Sequence, residues 1–228
     1  YFATYAAHLL EDELDSRPPG ENRLLPRFLS DADALELESR VGSRDYDRYL
    51  AYAGPPNVLL INQGDGRFAV SDTNDTVKAW RHTYQASWSD YDNDGDPDVY
   101  LANDFAVNTL LRNDGPKGFV DVAEESGTTD IGFGMGAGWG DFDNDGRQDL
   151  YVSNMFSKAG RRITSQLKNI DGRFGRMAHG NSLCCAADGG FRKVSGFEAN
   201  ELHVEKAGWS WSGQFVDVDN DGWLDVHA

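Results

Sequence analysis

The sequence is poor in cysteine, in positive charge and in long hydrophobic runs. Its 228 residues include only two cysteines, the adjacent Cys184 and Cys185, which excludes a scaffold held together by several disulfides. Asp and Glu number 38 against 21 Lys and Arg, and the formal net charge of −17 argues against nucleic acid as a partner. No apolar run is long enough to predict a membrane span. Because the chain begins at Tyr1 without an initiator methionine or an apolar leader, we expect it to be a fragment.

Local catalytic motifs are missing as well. The sequence has no G-x-S-x-G element, no glycine-rich phosphate loop between a strand and a helix, and no spacing typical of a zinc site. The five histidines are scattered and lie far in sequence from any candidate nucleophile, so we assign structural roles to His8, His82, His179, His203 and His227. The sequence alone therefore carries no local signature of an enzyme.

One acidic pattern, in contrast, occurs three times. "DYDNDGDPD" at 90–98, "DFDNDGRQD" at 141–149 and "DVDNDGWLD" at 217–225 each fit D-x-D-x-D-G-x-x-D without a mismatch. Like charges at alternate positions of a tight loop repel each other unless a hard cation such as Ca²⁺ lies among them. The alternative is a solvated acidic turn without a bound ion. The occurrence of the pattern three times at fixed internal spacing disfavours this alternative.

We predict that each loop binds one Ca²⁺ through its positions 1, 3, 5, 7 and 9. Positions 1, 3, 5 and 9 supply carboxylates, position 7 supplies its main-chain carbonyl, and the glycine at position 6 permits the sharp turn. The predicted metal ligands are Asp90, Asp92, Asp94, Asp96 and Asp98 in the first loop, Asp141, Asp143, Asp145, Arg147 and Asp149 in the second, and Asp217, Asp219, Asp221, Trp223 and Asp225 in the third.

These loops differ from the loops of EF-hands. An EF-hand needs a bidentate glutamate at position 12, where the three loops have Leu101, Val152 and Ala228. The residues that follow each loop, "VYLAN", "LYVSN" and "VHA", are β-branched or aromatic and predict a strand that leaves the loop.

The loops belong to an internal repeat. "NVLLINQGDGRF" at 57–68 and "NTLLRNDGPKGF" at 108–119 each begin 33 residues before an acidic loop, and "NSLCCAADGGF" at 181–191 begins 36 before the third. The repeat between Asp90 and Asp141 is 51 residues long and predicts strands at 98–103, at 108–112, near 118–122 and at 135–140. Four short strands in a repeat of this length are typical of a β-propeller blade. We therefore predict an all-β fold with repeats at 1–99, 100–150 and 151–226, all within one propeller domain that includes residues 1–228.

"GMGAGWGDFDNDGRQDLYVSN" at 134–154 and "GWSWSGQFVDVDNDGWLDV" at 208–226 resemble the FG-GAP/VCBS repeats of integrin-α-like propellers. The resemblance extends over about residues 51–226 and is nearest to the cartilage acidic protein group and its ASPIC/UnbV relatives. It implies a seven-bladed propeller bound to Ca²⁺, secreted to the extracellular space or the periplasm, and used as a module for cell adhesion. The chain departs from that pattern because it has only three loops and no ASPIC/UnbV tail. "YFATY" at 1–5 aligns with "YLAND" and "YVSNM", which predicts that a fourth loop precedes residue 1.

Two repeats carry insertions of 48 and 22 residues at the same point, the turn after the strand that leaves the loop. Because successive turns of an antiparallel meander alternate between its two ends, both insertions are predicted on the face opposite the calcium loops. The first, at about 6–53, has helical spacing at 6–14 and 30–42. The second, at about 157–178, is basic and is either a solvated loop or a docking patch for an anionic partner: Lys158, Arg161, Arg162, Lys168, Arg173 and Arg176 against Asp171.

Two functions remain open at this stage. The first is a calcium-binding extracellular propeller that binds a protein or a glycan through the face with the insertions. The alternative is a carbohydrate-active enzyme of the polysaccharide lyase kind, with its site at the central channel.

We expect the tryptophans before the loops to fill the spaces between blades (Trp88, Trp139, Trp209 and Trp211). Cys184 is predicted in the core and Cys185 facing outward, with a vicinal disulfide as the alternative.

Overall fold

The structure is a computed structural model, and it describes residues 56–72, 74–79, 81–158, 172–196, 198 and 200–228. Most of the regular structure in these residues is antiparallel β-sheet. The predicted helical insertion at about 6–53 lies outside the described residues. Of the basic insertion, only 157, 158 and 172–178 are described.

Two four-stranded meanders form the centre of the structure. The first consists of β3 (His82–Ser89), β4 (Asp98–Val107), β5 (Thr109–Asn113) and β6 (Phe119–Asp121), paired in that order. The second consists of β7 (Ile131–Gly140), β8 (Asp149–Asn154), β9 (Ser182–Ala187) and β10 (Gly190–Lys193). The start of β7 also pairs with the end of β4, which joins the two meanders. The four strands predicted for the repeat are thus confirmed, and both β4 and β7 are longer than predicted.

Shorter elements lie on either side of the meanders. The hairpin β1 (Leu60–Gly64) and β2 (Arg67–Val70) precedes them, and β11 (Gln214–Val216) pairs with β12 (Asp225–His227) after them. The described helical segments are brief: α1 (Asn74–Val77), a 3₁₀ turn (Gly115–Lys117) and α2 (Gly172–Met177). This arrangement is compatible with a propeller-type fold.

The core has two layers because β4 is buried on both faces. Tyr100 packs with Leu150 of the second meander in one cluster, and the alternate residues Val99 and Leu101 pack in the other, together with Val77 of α1. Successive side chains of a strand point to opposite faces of the sheet, so a strand that is apolar throughout needs a covered surface on each side. The second meander covers one face, and the segment that precedes the first meander, with Leu59 and Val77, covers the other.

Strand β7 lies so close to its neighbours that it has room only for glycine at alternate positions. A Cβ added to Gly134 would lie 2.7 Å from the carbonyl oxygen of Asn103, and one added to Gly138 would lie 2.7 Å from that of Gly213. Both contacts are with backbone, which cannot move aside easily. The "GMGAGWG" segment is therefore a packing requirement, and it fixes the strand that enters the second acidic loop.

The pairing also fixes where the acidic loops lie. Each loop joins two adjacent antiparallel strands: β3 to β4, β7 to β8, and β11 to β12. In each of the two joined meanders, the ends of the strands remote from the loop form the opposite edge. From Asp98 to Asp104 along β4 the chain rises by about 20 Å. The described part of the molecule therefore has a loop end and an opposite end.

Candidate calcium loops

The three acidic loops have the same unusual backbone conformation. The asparagine at position 4 has a positive φ in each, 60° at Asn93, 57° at Asn144 and 60° at Asn220. The glycine at position 6 also has a positive φ, between 87° and 94° in the three loops. Asparagine and glycine are the residues that adopt this left-handed region most readily, so the sequence N-D-G specifies the turn.

Backbone N–H groups orient the carboxylate at position 1. Asp90 accepts hydrogen bonds from the N–H groups of Asp94 and Gly95, both at 3.0 Å. Asp141 accepts the equivalent bonds at 2.9 and 2.8 Å, and Asp217 accepts them at 3.1 and 3.0 Å. These bonds hold the first carboxylate over the turn, where the following aspartates approach it.

The N–H group at position 7 orients the carboxylate at position 5 in the same way. Asp96, Arg147 and Trp223 donate their main-chain N–H groups to the position-5 aspartates at 2.8, 2.9 and 2.8 Å. The structure thus places the position-7 residues at the loops, and their role as carbonyl ligands remains a prediction.

The described residues bring most of the predicted carboxylate ligands together. Within each of the following groups, one oxygen from every residue lies within 4.8 Å of the others: Asp90, Asp92 and Asp94; Asp141, Asp143 and Asp145; Asp217, Asp219 and Asp225. Asp98 and Asp221 are not members of the group in their own loops, and Asp149 groups instead with Asp143 and Cys185. Clusters of carboxylate oxygens of this kind suit Ca²⁺, which prefers six to eight oxygen ligands.

The aspartate at position 9 links its loop to the third strand of the meander. Asp98 is fully buried and accepts hydrogen bonds from Tyr91 N at 3.2 Å and from Asn113 N, at the end of β5, at 2.8 Å. Asp149 is buried in the same way, with bonds from Phe142 N at 3.0 Å and from Ala186 N, in β9, at 2.8 Å. The third loop differs, because Asp225 is exposed and accepts only from Val218 N at 3.1 Å among the described residues.

Burial makes the ionised form of these carboxylates costly in the absence of a cation. Desolvation raises the pKa of Asp98 to about 6, and it also raises the pKa of Asp149. Desolvation and the neighbouring Asp94 raise the pKa of Asp92. A divalent cation at the loop would offset both the desolvation and the repulsion, so the donor set fits the metal that the repeat implies.

The second loop contains a cation of its own that sequence reasoning did not detect. Two nitrogens of the Arg147 guanidinium donate to Asp145 Oδ2 at 2.9 and 2.6 Å, and a third approaches Asp188 at 3.4 Å. This bidentate contact lowers the pKa of Asp145. The first loop has the acidic Asp96 at the same position. The three loops are therefore alike in backbone conformation but unequal in charge.

The sequence analysis placed Cys185 wrongly. It was expected to face outward, but only 6% of its surface is exposed and it lies beside Asp143 and Asp149. Cys184 lies in the core, as predicted, and the two thiols are free, so no vicinal disulfide is present. Burial raises the pKa of Cys184 to about 12 and that of Cys185 to about 11.

The tryptophans before the loops fall into two groups. Trp139 packs between the meanders as predicted, against Tyr91 and Phe191. Trp209 and Trp211 are 63% and 62% exposed, Trp211 contacts Tyr84 edge to face, and their role in filling the space between blades stays a prediction. Trp88 is 39% exposed and contacts Phe119 edge to face.

Comparison with known families supports the repeat. Residues 90–152, a little more than a quarter of the chain, match the family model described as an FG-GAP-like repeat. This segment includes the first two acidic loops and the strands between them. No curated protein matches the chain. Within the part of the chain that the structure describes, no helix has the length and apolar character needed to cross a membrane.

Proposed function

We propose that this chain is part of a calcium-binding, FG-GAP-type propeller that acts outside the cell, or in the periplasm, as a binding or adhesion module. The observation that carries the proposal is the recurrence of one loop conformation at three acidic repeats, with carboxylate oxygens grouped in each. The match of residues 90–152 to the FG-GAP-like repeat supports a propeller of the integrin-α kind. The Ca²⁺ concentration outside the cell is high enough to fill sites that bind Ca²⁺ with modest affinity.

In this proposal the ions stabilise the meanders rather than take part in a reaction. The aspartates at positions 1, 3, 5 and 9 would hold Ca²⁺ with the carbonyls of Asp96, Arg147 and Trp223, and the ion would supply the charge that compensates the carboxylates. The first two loops each join the first two strands of a meander, and their position-9 aspartates also accept hydrogen bonds from the third strand. Either of these loops, when occupied, would therefore hold three strands together at one end, and the third loop would hold β11 and β12.

The partner, by the same proposal, binds at the opposite end. The loop end would be committed to calcium, while both insertions are predicted from the sequence to branch from turns at the other end, and one of them is basic. An anionic protein surface or an acidic glycan is the partner whose charge fits that insertion. We keep the carbohydrate-active enzyme as the alternative, which turnover of a glycan by the complete protein would favour.

The calcium part of the proposal is tested by counting bound ions. Isothermal titration of the chelator-treated protein with Ca²⁺ should give three ions per chain, and Asp143→Asn should give two. Mg²⁺ at the same concentration should bind more weakly, because it demands a smaller octahedral shell. A protein that binds no Ca²⁺ at millimolar concentration would contradict the proposal.

The partner part is tested by charge reversal with heparin as the acidic probe. Arg161→Glu combined with Arg162→Glu should lower the salt concentration at which the protein elutes from immobilised heparin, because electrostatic attraction between exposed groups is screened by salt. The matched control is Lys117→Glu combined with Arg192→Glu, which reverses two exposed charges outside the insertion. Equal effects of the two double variants would place the contact elsewhere.

A further inference from the structure

A small aromatic pocket lies at the end of the strands opposite the acidic loops. Its volume is about 230 Å³, and its lining comes from the start of β3 and β7, the end of β4, the residue after β8 and the segment before β11: Tyr84, Asp104, Phe105, Phe133, Met135, Met155, Trp209, Ser210 and Trp211. Two of the ring pairs meet edge to face, Tyr84 with Trp211 at 6.0 Å and Phe105 with Phe133 at 5.0 Å between centroids. The pocket is therefore walled by rings that belong to different parts of the chain.

The only carboxylate in the lining is buried and incompletely paired. Asp104 is 3% exposed, and its Oδ1 has no hydrogen-bond partner among the described residues. A buried acceptor without a donor is costly, and native proteins satisfy nearly all such atoms. Burial raises the pKa of Asp104 to about 7. The pocket thus lacks one hydrogen-bond donor.

The backbone around Asp104 is shaped to form this pocket. Phe105 has a φ of 56°, a left-handed conformation that a bulky aromatic residue rarely adopts. The register between β4 and β7 shifts at this point, between Asp104 and Ala106. Backbone conformations that cost energy occur mainly at functional sites. This one therefore indicates that the position serves a site and not the sheet alone.

The tryptophans on the pocket rim are exposed although their backbone is fixed. Trp209 forms an isolated β-bridge with Met155, and the N–H of Phe156 donates to the carbonyl of Gly208 at 2.7 Å. The two indoles are nevertheless more than 60% exposed. Anchored, exposed aromatic rings beside a buried carboxylate are the usual surroundings of a bound organic cation.

We propose that this pocket binds an alkylammonium group, with its N–H donating to Asp104 and its carbon chain lying against the rings. The unpaired acceptor selects an ammonium that carries hydrogen over a quaternary one, which has no donor. The volume fits an aliphatic chain of a few carbons, and the net charge of −17 favours the approach of cations. Such a group comes either from a free amine or from a lysine side chain of a partner. The inference rests on the proposed function, because the pocket opens at the end of the strands where the partner is expected to bind.

The test uses n-butylammonium as the probe, with the calcium-saturated protein at pH 8 and moderate salt. Isothermal titration, followed in parallel by tryptophan fluorescence, should show saturable binding at one site. Neutral 1-butanol and tetramethylammonium should each bind at least tenfold more weakly, because the first lacks the charge and the second lacks the donor. N-acetyl-lysine amide distinguishes the sources: tighter binding than butylammonium assigns the site to a lysine side chain, and weaker binding assigns it to a free amine.

Variants connect the binding to the pocket. Asp104→Asn keeps the shape of the side chain and should weaken butylammonium binding about tenfold or more, since it removes a charge-assisted hydrogen bond. Trp211→Ala changes an exposed residue and should weaken binding about threefold. The matched controls are Asp65→Asn, an exposed acid in the turn between β1 and β2, and Phe68→Ala, a ring that is 59% exposed. Both controls should bind as the unmodified protein does.

Equal binding of butylammonium and butanol would overturn the inference, and so would equal weakening by the pocket variants and the controls. If amine binding fails while three calcium ions still bind, this inference alone is wrong. If calcium fails to bind, the proposed function is wrong, whatever the pocket does.

Discussion

The loop end and the opposite end of the strands are built in different ways. At the loop end, three segments of nine residues repeat one conformation, and the contacts that shape each loop are made mainly within those nine residues. At the opposite end, the pocket takes residues from Tyr84 to Trp211, and the repeats carry different residues at equivalent positions, such as Asp104 in "YLAND" and Met155 in "YVSNM". The difference teaches that the repeats stay alike at the structural end of this fold, while the end at which they differ is free to acquire specificity.

Even at the loop end, repetition is not complete. The second and third loops contact each other, because Asn144 Nδ2 donates to the carbonyl of Gly222 at 3.1 Å. Arg147 in the second loop replaces the acidic Asp96 of the first, and Trp223 stands at the same position in the third. The loops are therefore expected to differ in affinity for the same ion.

Calcium removal should have the largest effect and should separate the two ends. A site held at a hundred times its dissociation constant contributes about 2.7 kcal/mol, which in a chain of this size corresponds to a fall in Tm of about 5–10 °C for each loop emptied. We expect chelator to lower the Tm by at least this amount. Hydrogen exchange should then accelerate at Asn113 and Ala186, near the loops, more than at Asp104 and Phe133. Uniform acceleration at both ends would contradict the separation.

Removal of the guanidinium from the second loop should have the next largest effect. Arg147→Gln abolishes the ion pair with Asp145, so the Oδ2 atom of that carboxylate becomes available, and the loop gains net negative charge. We expect the calcium affinity of one of the three sites to rise several-fold, measured by titration, with the other two unchanged. Arg112→Gln is the matched control, since Arg112 pairs with Asp114 outside the predicted ligands. A rise that is the same in both variants would reflect net charge alone.

The buried carboxyl at the opposite end should give the smallest effect, a pH dependence of stability. Burial raises the pKa of Asp104 to about 7, above its value of about 4 in the unfolded chain. The stability associated with its protonated form is complete below pH 4 and is lost as pH rises to about 7. Asp104→Asn should therefore gain Tm relative to the unmodified protein between pH 5 and pH 8, with calcium saturating throughout.

Two other titratable groups lie near Asp104 and need to be separated from it. His82 is its partner in the strand register, and Tyr84 lines the same pocket. Both are present in the Asp104→Asn variant and in the unmodified protein, so the part of their contribution that does not depend on Asp104 cancels in the difference between the two proteins. A difference in Tm that stays constant from pH 5 to pH 8 would show that Asp104 does not titrate in this range.

The sequence was sufficient for the loops and for the strands that flank them. Alternate aspartates, the N-D-G turn and the β-branched residues after each loop specify neighbours within a few residues, and such local signals act before any distant contact forms. The strands β4 and β7 extended further than predicted, because their extra residues pair with each other across the junction of two meanders. That pairing depends on a contact between repeats and has no local signal.

Three residues of the candidate sites had weaker signals that the sequence analysis did not use. Asp104 is a charged residue within the apolar run "VYLANDFAV", and such an interruption of a buried strand indicates either a paired charge or a site. Trp209 and Trp211 are two residues apart, which places both rings on one side of an extended segment. Neither signal could reveal that the carboxylate and the rings meet.

By itself, the sequence determined the acidic loops, their shared turn and the four-stranded repeat, because each is encoded by residues adjacent in the chain. Only the tertiary structure decided that Asp98 and Asp149 are buried against the third strand of their meanders and that Cys185 faces inward beside the second loop. It also decided that Asp104 lies in a pocket with rings that are far away in sequence. The physical reason is that burial and long-range contact depend on which surface covers a residue, and in stacked meanders that surface belongs to the neighbouring repeat.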